Sequence, residues 1–225
     1  MRVRVSLTIA TLVAALFAAC GHDDANGGPP GSDEPQDGSP ELVHVHGLGL
    51  NAADQMLYVA THNGLYRLTE KGPELVGGRT WDVMGFTVRG PDQFIGGGHP
   101  SPEEIRQNKY PPLLGFIETT DGGDTWAILA MKGEVDLHAL AVDDGEIYAV
   151  ESSSGRLLAS ADGKTWETRS NLAAMSLAGE ANGRLLAPTR AGLVESLDGG
   201  RTWTASADAP PFVLAAVAPG GPTWE

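Results

Sequence analysis

Five of the six histidines in this 225-residue chain sit in short, β-prone segments: His44 and His46 in VHVHGLGL, His62 in YVATHNG, His99 in GGGHP and His138 in VDLHALAV. Neutral imidazole is a ligand for zinc and for copper, and it also moves protons near neutral pH. Asp82 and Asp136 lie in segments of the same kind, as do Met84 and Met175. A carboxylate beside imidazoles suits zinc, and a thioether beside imidazole suits copper. Two carboxylates facing one bond would instead suit glycoside hydrolysis. Arg190, Tyr110 and Glu103 are polar candidates for holding a ligand near the same place. None of this chemistry is available unless the fold brings residues so far apart in sequence to one point.

The elements that would do so are repeated. TTDGGDTW (119–126), SADGKTW (160–166) and SLDGGRTW (196–203) match one another, with tryptophans 40 and 37 residues apart. Short β-prone units at a period near 40 predict an all-β propeller of four-stranded blades. No stretch sustains a helical period of 3.6, and the units are punctuated by Gly, Asp and Asn. Aligned on the repeats, the innermost strands are VHVHGLGL (43–50), WDVMGFTV (81–88), VDLHALAV (135–142), LAAMSLAG (172–179) and FVLAAVAP (212–219). That gives four blades and the first strand of a fifth. The second strands are MLYVATHNG, QFIGGGHP, EIYAVESSSG and RLLAPTRAG, and the third are LYRL, LLGFIETT, RLLASA and GLVESL. GGRTW at 77–81 lacks the first half of the repeat and reads as coincidence.

Register then places the chemistry. Positions two and four of the inner strands read His44, Asp82, Asp136, Ala173 and Val213, then His46, Met84, His138, Met175 and Ala215. Residues two apart on a strand share a face. The antiparallel second strands return to the same end and deliver His62, His99, Ser153 and Arg190. Five histidines with Asp82, Asp136, Met84 and Met175 therefore gather at one mouth of the propeller, beside the insertion HPSPEEIRQNKYPP. A copper or zinc site, an acid–base site and plain hydrogen bonding between blades are all compatible with that set. The letters Gly47 to Ala52 fit a dinucleotide fingerprint, but another strand follows where that motif needs a helix. Gly47 and Gly49 read instead as close packing at a crowded axis.

The three repeats resemble the Asp-box, or BNR repeat, which implies a hairpin between the third and fourth strands of a blade. It also implies structural roles for Asp121, Trp126, Asp162, Trp166, Asp198 and Trp203. The set HVHGLGLN, YVATHNGLYR, MGFTV, GGGHP, LLGFIETTDGGDTW and DLHALAV resembles a bacterial Asp-box lipoprotein family of the glycosylhydrolase or exo-sialidase-like kind. That resemblance implies a glycan-directed activity; Asp82 and Asp136, aligned in register on different blades, could supply its carboxylate pair, and the plainer reading is that they tie adjacent blades together by hydrogen bonds. The Arg-Ile-Pro segment of sialidases is missing from the sequence, which argues against sialidase activity itself.

The first forty residues are of another kind. Residues 1–19 read as a secretory signal, with Arg2 and Arg4 ahead of an apolar run. LFAAC, ending at Cys20, resembles a lipobox, which implies lipid on that thiol and anchorage in a bilayer on the extracytoplasmic side, at the cell membrane, cell surface or periplasm. Residues 20–40 are Gly, Pro, Asp and Ser almost throughout and read as a disordered tether that includes His22. Residues 41–225 make the propeller domain. The formal charge of −14 gives no basic footprint for nucleic acid. The expected partners are the bilayer and a metal, a small ligand or a glycan.

Overall fold

The computed structural model describes residues 42–206. The leader, Cys20, the tether and the fifth inner strand at 212–219 lie outside the described residues.

Four antiparallel sheets of four strands follow one another along the chain, each in simple sequence order. The first holds β1 (Val45–Leu50), β2 (Leu57–Thr61), β3 (Gly64–Thr69) and β4 (Gly72–Leu75). The second holds β5 (Asp82–Gly90), β6 (Gln93–His99), β7 (Phe116–Thr119) and β8 (Ala127–Ala130). The third holds β9 (Leu137–Asp143), β10 (Glu146–Glu151), β11 (Arg156–Ser160) and β12 (Glu167–Asn171). The fourth holds β13 (Ala178–Glu180), β14 (Arg184–Thr189), β15 (Gly192–Ser196) and β16 (Thr204–Ala205). These are the blades of an all-β propeller, as the repeats predict. The inner strands β1, β5, β9 and β13 neighbour one another in that order.

The apolar core lies in the seams between blades. Tyr58, Ala60 and Leu65 of the first blade meet Val83, Phe86, Phe94 and Ile117 of the second. Ile95 and Phe116 of the second blade meet Leu137, Leu140, Ile147 and Leu158 of the third. Tyr148 and Leu157 of the third blade meet Leu185 and Ala187 of the fourth. Burying these faces against each other supplies the hydrophobic stabilisation that no single blade could reach alone. The inner strands approach closely. A Cβ on Gly49 would fall 2.5 Å from Val88 Cγ2, and one on Gly47 would fall 3.1 Å from Phe86 Cβ.

Each repeated hairpin joins the third strand of its blade to the fourth and is held by the same bonds. The hydroxyl of Thr119, Ser160 or Ser196 donates to the aspartate two residues on, and accepts from the N–H of Gly123, Gly163 or Gly200. The aspartate in turn accepts from the backbone and hydroxyl of Thr125, Thr165 or Thr202. Bonds from backbone N–H groups hold the Asp162 carboxyl down at about 2. Those from Thr202, backbone first and then hydroxyl, do the same for Asp198. The short middle copy omits the counterpart of Gly122 and Gly199, and Gly163 takes the place of Gly123 and Gly200. Each tryptophan leans on the preceding blade: Trp166 meets Phe116 edge-on at 5.0 Å, and Trp203 Nε1 donates to Ser170 Oγ at 3.1 Å. GGRTW is no such hairpin. It follows β4, and Trp81 enters the seam just before β5.

Three expectations need correction. The innermost strand of the fourth blade is only Ala178–Glu180, preceded by a single bridge between Ala174 and Thr189. Leu172 and Leu177 are buried there while Met175 is 64% exposed. The Ala- and Ser-rich run 173–176 has little strand preference of its own, so the buried leucines set its path. His44 and Asp136 lie just before their strands rather than within them, and His44 has a φ of 50°. A bulge between Val45 and Gly47 also interrupts the alternation assumed for β1.

Candidate functional site

Within a blade the β1–β2 and β5–β6 turns lie at one end, and the start of the first strand and finish of the second lie at the other. The Asp-bearing hairpins belong to the former end, where Gly122 N–H donates to Asp92 O in the β5–β6 turn. The histidines belong to the latter. The segregation expected from register is present in the fold.

The histidines form two groups rather than one ring. In the first, His46 of β1 and His62 just past β2 converge on Asp82 at the start of β5. His46 Nε2 lies 3.0 Å from His62 Nδ1, and Asp82 Oδ1 lies 3.3 Å from His46 Nε2 and 2.8 Å from His62 Nδ1. His44 stacks on His62, with ring centroids 4.8 Å apart and planes 17° from parallel. The second group takes His99 from the end of β6 with Asp136 and His138 from β9. His99 Nε2 lies 3.5 Å from Asp136 Oδ1, and His138 Nε2 lies 2.9 Å from Asp136 Oδ2. In each group one donor atom from each of the three residues lies within 4.8 Å of the others.

The surroundings tune these groups. Burial pulls the His46 imidazole below its ordinary value; Asp82 opposes this, and His62, His138 and His44 add to it. His138 therefore acts on His46 across the boundary between the groups. Burial pushes the Asp136 carboxyl up, but His138, Ser152 and His99 outweigh it and hold the group below its ordinary range. Asp82 Oδ1, Asp136 Oδ1 and His138 Nε2 are buried yet accept or donate no directed hydrogen bond. Buried polar atoms without a directed partner are uncommon and call for an explanation.

The remaining sequence candidates stand outside these two groups. Met84 is half-buried on β5 and Met175 is exposed ahead of β13. Arg190 is exposed in the β14–β15 turn. The insertion between β6 and β7 carries a short helix, α1 (Pro102–Arg106), closed by a Ser101–Glu104 capping box. Glu103 is exposed there and engaged by Arg106 and Gln107. Tyr110 packs edge-on against Trp81 at 5.4 Å, with Lys109 and Lys132 over its ring. Register points to Ser153 of ESSSG, and the structure instead puts its neighbour Ser152 at the second group. Its hydroxyl donates to Asp136 Oδ2 at 2.8 Å, and its N–H donates to Asp136 O at 2.9 Å. The alternation of a strand ending in three serines does not say which one faces the aspartate.

Residues 114–215 match a family model described as the DUF6242 beta propeller domain. No curated protein matches the sequence. An ancestral GH74 enzyme superposes with a TM-score of 0.52 at 17% identity, covering 73% of this chain and 24% of that one. A gluconolactonase of Xanthomonas campestris gives 0.51 at 14%, covering 73% and 63%. The extracellular domain of a hybrid two-component system of B. thetaiotaomicron gives 0.51 at 9%, covering 72% and 21%. The chain thus spans about a quarter of the GH74 enzyme and about a fifth of that extracellular domain. At these identities the likeness is one of fold, a propeller of four-stranded blades.

Proposed function

We propose that this chain is an extracytoplasmic Asp-box propeller, anchored to a bilayer through lipid on Cys20, that binds a transition metal, zinc or copper, at its His/Asp end. The observation that carries the metal reading is the twofold convergence of two imidazoles on one carboxylate with buried donor atoms left unbonded. Imidazole and carboxylate together suit zinc and divalent copper. Calorimetry and metal analysis of the purified chain test it. Zinc or copper binds with a defined stoichiometry, and His46→Ala with His138→Ala, which removes one ligand from each group, lowers the affinity at least about 100-fold. No binding, or binding unchanged in that variant, overturns the reading. The anchor rests on LFAAC: Cys20→Ser releases the protein from membranes, and continued partitioning with them would dismiss it.

A glycoside hydrolase using Asp82 and Asp136 is the alternative. Such an enzyme needs one carboxyl protonated near neutral pH as general acid. Asp136 is held low by His138 and Ser152 against its burial, so it would serve as base or ligand. Loss of glycan hydrolysis in Asp136→Asn with metal content unchanged would favour the enzyme.

A further inference from the structure

We infer that the mouth holds two metal ions, one in each of two adjacent seams, with His46, His62 and Asp82 for the first and His99, Asp136 and His138 for the second. The inference rests on the metal reading above and adds the number of ions, the ligands of each and the groups that orient them.

The first argument is partition. Asp82 contacts His46 and His62, and Asp136 contacts His99 and His138; the two sets share no side chain. Each set carries its own carboxylate, so each can offset part of the charge of one divalent ion. The first joins β1 and β2 of one blade to β5 of the next, and the second joins β6 to the segment opening β9. His62 with Asp82 and His99 with Asp136 hold equivalent repeat positions in successive seams, while the third residue differs: His46 from the preceding blade in the first, His138 from the following blade in the second.

The second argument is spacing. Metal–ligand bonds of about 2.0–2.1 Å at tetrahedral angles put donor atoms about 3.3 Å apart. The three separations of the first set are 3.0, 3.3 and 2.8 Å. An ion needs to spread those atoms by only a few tenths of an ångström. In the second set His99 Nε2 lies 3.5 Å from Asp136 Oδ1, and the 2.9 Å approach of His138 Nε2 is to the other oxygen, Oδ2; one donor atom from each residue lies within 4.8 Å of the others.

The third argument is proton placement in the second set. His99 Nδ1 lies 3.0 Å from the Pro112 carbonyl, which can only accept. Nδ1 therefore carries the proton, and in the neutral ring Nε2 presents a lone pair. That lone pair faces Asp136 Oδ1, a buried acceptor with no hydrogen-bond donor. Two acceptors set against each other repel unless a cation lies between them or the ring takes a second proton, and a divalent ion satisfies both at once. Ser152 donates to Oδ2, which His138 Nε2 also approaches, so Oδ1 is the carboxylate oxygen left without a partner. A carbonyl behind a histidine and a hydroxyl behind a carboxylate are the outer contacts that orient metal ligands. Three protein ligands leave a fourth position open to water or an added anion in each site.

Titration of the full chain with Co(II), followed by its visible absorption and by metal analysis, tests the inference. The expected result is two equivalents. His46→Ala/His62→Ala leaves one, and His99→Ala/His138→Ala leaves the other. Ser152 is exposed, so Ser152→Ala reports on the site without relying on a folded double variant. It weakens one of the two binding steps about 10-fold and leaves the other unmoved. In the His99→Ala/His138→Ala background it has no effect. A single equivalent, abolished by either histidine pair, would mean one shared ion and would overturn this inference while leaving the metal reading in place. Failure to bind Co(II), Zn(II) or Cu(II) at all would overturn both.

Discussion

Gly98→Ala lowers the stability of the propeller by about 3–5 kcal/mol and disables both histidine groups together. Gly98 has a φ of +141°, a region that glycine enters freely and alanine does not. A Cβ there would lie 2.0 Å from the backbone oxygen of Asp82 and 2.9 Å from the Met84 nitrogen. Neither atom belongs to a flexible side chain, so relief requires β5 and β6 to part. Gly98 pairs with Val83, and the next pair is Asp82 with His99. Parting the strands thus shifts one ligand of each proposed ion at once. Gly145→Ala is the control: its φ is +83°, but a Cβ there meets nothing within 4 Å. Only the backbone term remains, about 1–2 kcal/mol. Denaturant melts of both variants check the comparison. Equal losses for the two would show that the contact with Asp82 carries no weight.

Trp81→Ala has a similar cost, about 3–5 kcal/mol, because it empties one of the largest fully buried positions. Trp81 also fastens the insertion to the seam. Its indole N–H donates to Glu104 Oε2 at 2.6 Å, Tyr110 packs on its ring edge, and the Arg79 guanidinium lies 4.5 Å from its ring centroid. Burial pushes the Glu104 carboxyl up, but Lys109, Trp81 and Ser101 outweigh it and hold the group low. Trp81→Phe keeps most of the packing and deletes only the donor, so its loss is smaller, about 1–3 kcal/mol. In Trp81→Ala, trypsin cuts faster after Arg106 and Lys109, both exposed on the insertion. Thermal melts and the cleavage rate are the measurements. Unchanged cleavage alongside a lowered melting point would mean that the insertion is held by other contacts.

Glu103 and Tyr110 mark the limit of reading by residue type. The sequence offers Glu103, Tyr110 and Arg190 as ligand-holding groups because each is polar and adjoins the mouth. In the fold Glu103 is tied to Arg106 and Gln107 on an exposed turn, and Tyr110 is the floor beneath two lysines. Their partners come from neighbouring turns and from the seam, and no periodicity in the sequence encodes them. Ser152 is the converse case, a residue of unremarkable type made significant by the aspartate opposite it.

The repeat by itself determined the blades, their order, the hairpins and the end of the propeller at which five histidines collect. It could do so because strand alternation and box spacing are local, and because each blade is a copy of the last. How those histidines divide was decided by the tertiary structure alone. Register places His46, His62, His99 and His138 at the same end with equal claims on one another. The offset between adjacent blades then sets Asp82 beside one pair and Asp136 beside the other. The close approaches of Gly47 and Gly49 to Phe86 and Val88, and of Gly85 and Gly97 to Leu137, join strands of adjacent blades, and they are contacts between segments remote in sequence.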